Sequence, residues 1–368
     1  MVRRLLTAAA LVAAFAAPAR AEPRKREAFE VAVDRALERL KENQNPDGSW
    51  NSGAGFAGGG RRDPAVSALC VMAFLSAGHV PGEGPYGETI QRGVRFVCSQ
   101  QQANGVFSGP QFGMTVMYSH GICTLMVAEV IGLMPDRAEA AELRRRLEAG
   151  VKLIRYAQAK QGNTKGGWRY SIEPRDADIS VTGWQVMALR AAKNVGCDVP
   201  ATTISDAVEY IKRSRSNDGG YKYVLGGPTT VPCTAASILS LELAGKDYHG
   251  SRESLEAAQY IVDRIAPRNQ GPPNVRFTQH FFYGVYYTAQ AMFQIGGKEY
   301  WPWYRTYLHW LLLQQHAQQA SGLWHGVSAD DHQAGVNYST AMAVLALTVE
   351  YRFLPIYQRG EEPDERAK

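Results

Sequence analysis

The sequence predicts an all-α chain, an α/α6 toroid of six helical hairpins in two concentric layers. Three observations carry this: a Gly-x-aromatic signal that returns along the chain, an amphipathic helical pattern before each return, and an almost wholly apolar one after it. Gly accounts for 36 of 368 residues, roughly 10% against a background of about 7%, so one structural device uses glycine repeatedly. The copies are Gly48-Ser49-Trp50, Gly105-Val106-Phe107, Gly166-Gly167-Trp168, Gly219-Gly220-Tyr221 and Gly322-Leu323-Trp324, at intervals of 57, 61, 53 and 103 residues. The last interval spans two periods, which places a degenerate copy at residues 269–272. Such a period marks an array of units, none of which buries its apolar face alone.

The first element is a leader rather than part of the array. Residues 1–21 join a basic start (Arg3, Arg4), an apolar run over 5–17 and the cleavage pattern Ala19-Arg20-Ala21. The run is too short to span a bilayer, and the pattern predicts a signal peptide and export to the periplasm or the extracellular space. Its removal takes away three arginines and no acids, lowering the formal charge from +5 to +2. No basic stripe remains, so nucleic acid is not expected as a partner. No later stretch reads as long and apolar enough to cross a membrane. The five cysteines (Cys70, Cys98, Cys123, Cys197, Cys233) form no C-x-x-C pair and sit mostly in apolar runs, so they are read as buried free thiols.

Residues 22–359 then read as one toroid domain and 360–368 as a disordered polar tail. The outer helices begin near Glu27, Glu88, Thr203, Ser251 and Trp303, with a third outer helix carrying Leu143, Leu147, Val151 and Ile154 at steps of four, four and three. Charged residues fill its other face, as expected of a helix with one side in water. The inner helices are predicted at 65–77, 115–133, 180–192, 232–244, 281–295 and 340–353. Having no polar face, they must be covered on more than one side. The last inner helix is as apolar as the middle ones, whereas an open solenoid needs a polar cap, so the array is predicted to close. No strand signal is present.

The second copy, Gly93, Phe96, Val97, Gln101, Gly105 and Phe107, resembles the QW motif of squalene and oxidosqualene cyclases. Gln44, Gly48 and Trp50 fit it in part, as do Gln318, Gly322 and Trp324. In the third copy Gly150, Leu153, Ile154 and Gln158 match before a longer loop to Gly166 and Trp168, and in the fourth Arg215 replaces Gln. The resemblance covers most of residues 27–355. It implies the terpenoid cyclase/protein prenyltransferase superfamily, and within it the small exported prenyltransferase/squalene oxidase repeat proteins of bacteria.

Function must be argued from sites, not from the fold. Cyclases of this type protonate an alkene with an Asp-x-Asp-Asp motif. Asp176-Ala177-Asp178-Ile179 matches two of its three aspartates, at a position where Asp178 also reads as a helix cap. The resemblance makes Asp178 and Asp176 the candidate acids, with Trp168, Tyr170 and Trp184 as an aromatic wall. Arg169 and Arg175 join them at one rim, and Tyr118, His120, His280 and Tyr283 are further candidates for a cavity lining. The zinc ligands of prenyltransferases are missing: Val231-Pro232-Cys233 lacks the Asp, and Gly284 stands where the second segment needs His. No Gly-Cys-Gly-Glu-Gln run exists for a thioester. His325, Asp330, Asp331 and His332 read as a solvated loop rather than a metal site. Residues 52–60 read as a glycine-rich lid with neither a phosphate-loop nor a dinucleotide pattern. No metal or cofactor is expected. The primary reading is a non-catalytic binding or scaffold protein that holds a hydrophobic small molecule or peptide in the cavity or at its rim. The alternative is a terpenoid cyclase-like enzyme.

Overall fold

The computed structural model describes residues 26–53, 60–108, 115–266 and 280–358. The leader, the interior of the 52–60 segment, the degenerate copy at 269–272 and the polar tail lie outside the described residues. Among the described residues fourteen α-helices run from α1 (Ala28–Glu42) to α14 (Val336–Thr348), and extended backbone is confined to isolated bridges.

The inner layer is α2 (Pro64–Ser76), α4 (Val116–Val130), α6 (Ile179–Asn194), α8 (Val231–Ala244), α10 (Phe281–Ile295) and α14. Each packs on the next in that order, and α14 packs back on α2, closing the ring. The outer layer is α1, α3 (Gly87–Ser99), α5 (Arg137–Ala157), α7 (Ala201–Arg213), α9 (Arg252–Ile265) and a broken helix made of α11 (Tyr300–Tyr304), a π-turn over Arg305–His309 and α12 (Trp310–Ala317). The two layers follow from the patterns: α3 buries one face through Ile90, Val94 and Val97, whereas nearly every residue of α2 is buried. The last inner helix starts at Val336, earlier than predicted, because Gly335 breaks the chain after the short helix α13 (Ala329–Ala334). It ends in a 3₁₀ turn, Val349–Tyr351.

The repeat has a common geometry. Trp50, Trp168 and Trp324 are fully buried, and each indole donates to a carbonyl of its own outer helix: Leu40 (2.7 Å), Ile154 (2.7 Å) and Leu312 (2.9 Å). Gln44, Gln101 and Gln158 each donate to the carbonyl of their repeat glycine and to a carbonyl on the next outer helix, at Thr89, Arg146 and Thr203. In the fourth copy Arg215 reaches the next outer helix instead, pairing with Glu256. The glycine is required by contact as well as by dihedral angle. Gly166 has φ +93, and a Cβ there would lie 1.9 Å from the Asp206 carbonyl oxygen on α7.

One stretch meets the length and hydropathy of a membrane span, residues 116–133, which corrects the reading that none follows the leader. It is an inner-ring helix with 78% of the span buried. The five cysteines are buried and free.

Candidate functional site

The inner helices run parallel, so their first turns meet at one end of the ring. The aperture there opens into two lobes of about 610 and 790 Å³, which share Tyr118, Tyr170, His280 and Tyr283 as walls. The first lobe adds Ser180, Tyr223, Thr229, Thr230, Cys233 and Ile265. The second adds Arg61, Asp63, Ser119, Asp330, Asp331 and Tyr338.

Behind the tyrosines lies an ion pair. Asp178 is fully buried and caps α6: its Oδ1 accepts the Val181 N–H (2.8 Å) and the Ser180 hydroxyl (2.5 Å), and its Oδ2 accepts Arg169 Nη1 (2.7 Å). Tyr118 in turn donates its hydroxyl to Ser180. On the other side Arg169 donates to the Tyr223 hydroxyl (2.8 Å), which is bonded to that of Tyr170. The guanidinium lies over the Tyr170 ring at 4.3 Å, and Tyr170 stacks on Tyr118 at 5.8 Å. One buried carboxylate therefore orients three cavity-facing tyrosines through Ser180 and Arg169. Burial pushes the Asp178 carboxyl up, against the pull of Ser180, the Val181 N–H and Arg169. Arg169 does not deprotonate in proteins, so its charge opposes that rise. Burial lifts the Tyr118 phenol well above its usual value, leaving it a neutral donor.

The structure separates the remaining sequence candidates. Asp176 is exposed and lies 3.3 Å from Arg169 Nε, and Arg175 is exposed on the same loop; neither lines a lobe. Three expectations are corrected. Trp168 plugs the gap between hairpins, its N–H groups going to Ile154 and Thr182, and does not face the cavity. Trp184 sits one turn deeper, stacked on Tyr286 at 5.5 Å. His120 is a framework residue. Its Nδ1 accepts the Phe107 N–H (3.1 Å), the bond that Ser67, Thr182, Thr234 and Thr340 accept with hydroxyls in the other hairpins. Burial lowers its pKa to about 4, so it is neutral, with Nε2–H donated to the Gly150 carbonyl (3.0 Å).

His280 and Tyr283 lie on the wall that the two lobes share. His280 precedes α10 in a left-handed conformation (φ 54), with Nδ1 3.2 Å from Asp330 Oδ2. A non-glycine residue at positive φ stores strain that the surroundings must hold. Asp331 is not in a solvated loop: it is buried in the first turn of α13, accepting the Phe282 and Ser328 N–H groups. Among the described residues no three metal-ligating side chains converge.

Sequence reasoning missed Tyr223, Ser180 and Asp63, although the repeat carried a signal for the first and the last. Tyr223 follows the plug Tyr221 by two residues, as Tyr170 follows Trp168. Asp63 and Thr230 precede the hydroxyl acceptors Ser67 and Thr234 by four, as Asp178 precedes Thr182.

No family model matches the chain. It is 26% identical over 192 residues to a drimenyl diphosphate synthase of Streptomyces showdoensis, spanning 52% of this chain and 32% of that protein. The chain thus matches about a third of the length of that relative. In fold it is similar to the type II terpene cyclase MstE from Scytonema (TM-score 0.62, 13% identity, covering 89% of this chain and 98% of that one). It is also similar to the α-1,6-mannanase GH76A from Salegentibacter sp. HEL1_6 (TM-score 0.66, 8% identity, 88% and 99%). These structural likenesses show the α/α toroid and no activity.

Proposed function

Taking the chain as a terpenoid cyclase-like α/α toroid, we propose that it is an exported, non-catalytic binding protein. It holds an apolar small molecule or the side chains of a peptide in the tyrosine-walled lobe at the mouth of the ring. The observation that carries this reading is the state of Asp178. A cyclase needs a carboxylic acid with a proton to give to an alkene. Here both oxygens accept hydrogen bonds, one from a guanidinium, and the carboxylate is turned into the wall. The lobe itself has the size and mixed aromatic and hydroxyl lining of a small-molecule site.

The test is to purify the exported chain from its native envelope and identify what co-purifies by mass spectrometry, with purified protein incubated in parallel with polyprenes and prenyl diphosphates. A bound apolar compound or peptide recovered unchanged is the expected result. A cyclised product that disappears in Asp178→Asn would overturn the reading.

One observation favours the second reading, a terpenoid cyclase-like enzyme. The chain Tyr118–Ser180–Asp178 is a continuous hydroxyl relay from the cavity to a desolvated carboxyl. In that reading Asp178 acts through the relay and Asp176 has no contact with substrate. Turnover lost in both Asp178→Asn and Tyr118→Phe would identify it.

A further inference from the structure

The second lobe holds a polar group that the tyrosine network does not use. Asp63 caps α2 with Oδ1 alone, which accepts the Ala65 N–H (2.8 Å) and the Val66 N–H (3.1 Å). Its Oδ2 has no hydrogen-bond partner among the described residues, although the residue is only 8% exposed and lines the lobe. That oxygen is not sealed off, so it opens on the lobe, where a water or a ligand group can meet it. Burial raises this carboxyl to about 6, so it is charged at neutral pH.

The other charges of the lobe are placed differently. Asp330 lies at the edge against His280, Asp331 is taken up by backbone N–H groups, and Arg61 is exposed to solvent. Parallel helix N-termini would by themselves favour an anion. Four of the six are already capped by a side chain: α2 by Asp63, α6 by Asp178, α8 by Thr230 and α10 by Asp331. The starts of α4 and α14 carry no side-chain cap, the Met117 N–H of α4 going to the Tyr170 carbonyl. The charged group open to a ligand at depth in this lobe is the Asp63 carboxylate oxygen, with the rings of Tyr118, Tyr170, Tyr283 and Tyr338 around the same space. A desolvated carboxylate beside aromatic faces is complementary to an organic cation.

We propose that the second lobe is a recognition site for an ammonium group, so that the occupant of the mouth is an amphiphilic amine. Its apolar body lies in the tyrosine lobe and its cationic end on Asp63 Oδ2. The amine class includes a lysine or an N-terminal residue of a peptide as well as a free alkylamine. The inference rests on the cavity binding a ligand at all, as proposed above.

The experiment is calorimetric titration of the full chain with n-octylammonium, n-octanol and n-octanoate, repeated on Asp63→Asn. Asn caps a helix as well as Asp, so the variant keeps its fold, which a thermal melt verifies. At about pH 7.5 the amine is expected to bind about tenfold more tightly than the alcohol, the worth of one charge-assisted hydrogen bond, with octanoate weakest. In Asp63→Asn the amine and alcohol should agree within about twofold. Equal binding of amine and alcohol by the unmodified chain, or an unchanged preference in the variant, overturns the ammonium site and leaves the binding function standing. Binding of none of the three overturns the cavity reading and the ammonium site together.

Discussion

At the mouth of the ring polar side chains hold one another; at the far end the protein's own C-terminal segment covers them. Both ends are made by the same six inner helices. At the far end Leu354, Ile356 and Tyr357 are buried, the Ile356 N–H donates to Glu129 Oε2 (3.2 Å), and Tyr357 shares a hydrogen bond with Tyr286. Among the described residues Glu129 has no counter-charge there. Its Oε1 is unpartnered, and burial raises its carboxyl to about 8. At the mouth the corresponding carboxylate, Asp178, has a cation, a hydroxyl and a backbone N–H. The difference teaches where a ligand can go. A toroid has two apertures, and here residues 354–357 cover one of them.

If the two ends are independent, perturbing one should leave the other unchanged, and four substitutions test this in falling order of effect. Tyr357→Ala should cost about 3–5 kcal/mol, the range for deleting a buried aromatic, measured by urea denaturation, with no change in ligand affinity at the mouth. A parallel loss of affinity would show that the ends are coupled. Arg169→Met leaves Asp178 buried without its cation and should cost about 1–3 kcal/mol. Unlike the first, it should also weaken ligand binding, because Tyr223 and Tyr170 lose the group that orients them.

Glu129→Gln sharpens the comparison through pH. A carboxyl whose folded pKa lies above its unfolded value binds more protons in the folded state. Its stability contribution is therefore full below about 4.5 and is lost as pH rises through about 8. Between pH 6 and 8.5 the unmodified chain should lose on the order of a few kcal/mol that the variant retains, as followed by melts across pH. His120 acts with the opposite sign. Its folded pKa is depressed to about 4, so its contribution is present above about 6.5 and fades as pH falls. Identical pH curves for the chain and Glu129→Gln would remove the far-end carboxyl from the account. The smallest effect is Tyr118→Phe, which removes one hydrogen bond to Ser180 and should cost no more than about 1 kcal/mol while altering ligand affinity.

The fold was legible in the sequence because its causes are local and repeated. Gly166 must turn left-handed against Asp206, Trp168 must fill the gap beside Ile154, and α2 must be buried all round; each requirement leaves a residue type at a fixed spacing. The candidate site was legible only in part. Tyr118 was picked out as a polar residue in an apolar inner helix, Tyr170 beside Trp168 and Arg169 at one rim, and His280 and Tyr283 from a segment that resembles a prenyltransferase run. His120 was picked out for the same reason as Tyr118 and was misplaced, because its role is that of a hydroxyl in the neighbouring hairpins.

What the sequence determined by itself is the hairpin array: helix periodicity recurs six times and the glycine turn with its aromatic plug five times, each acting over a few residues. The tertiary structure alone decided which polar groups meet. Arg169 finds Tyr223 54 residues away, Tyr118 finds Ser180 62 residues away, and Glu129 finds Ile356 227 residues away. Those pairings depend on the ring closing with its inner helices parallel, and no local pattern encodes which side chain a parallel neighbour brings to the same depth.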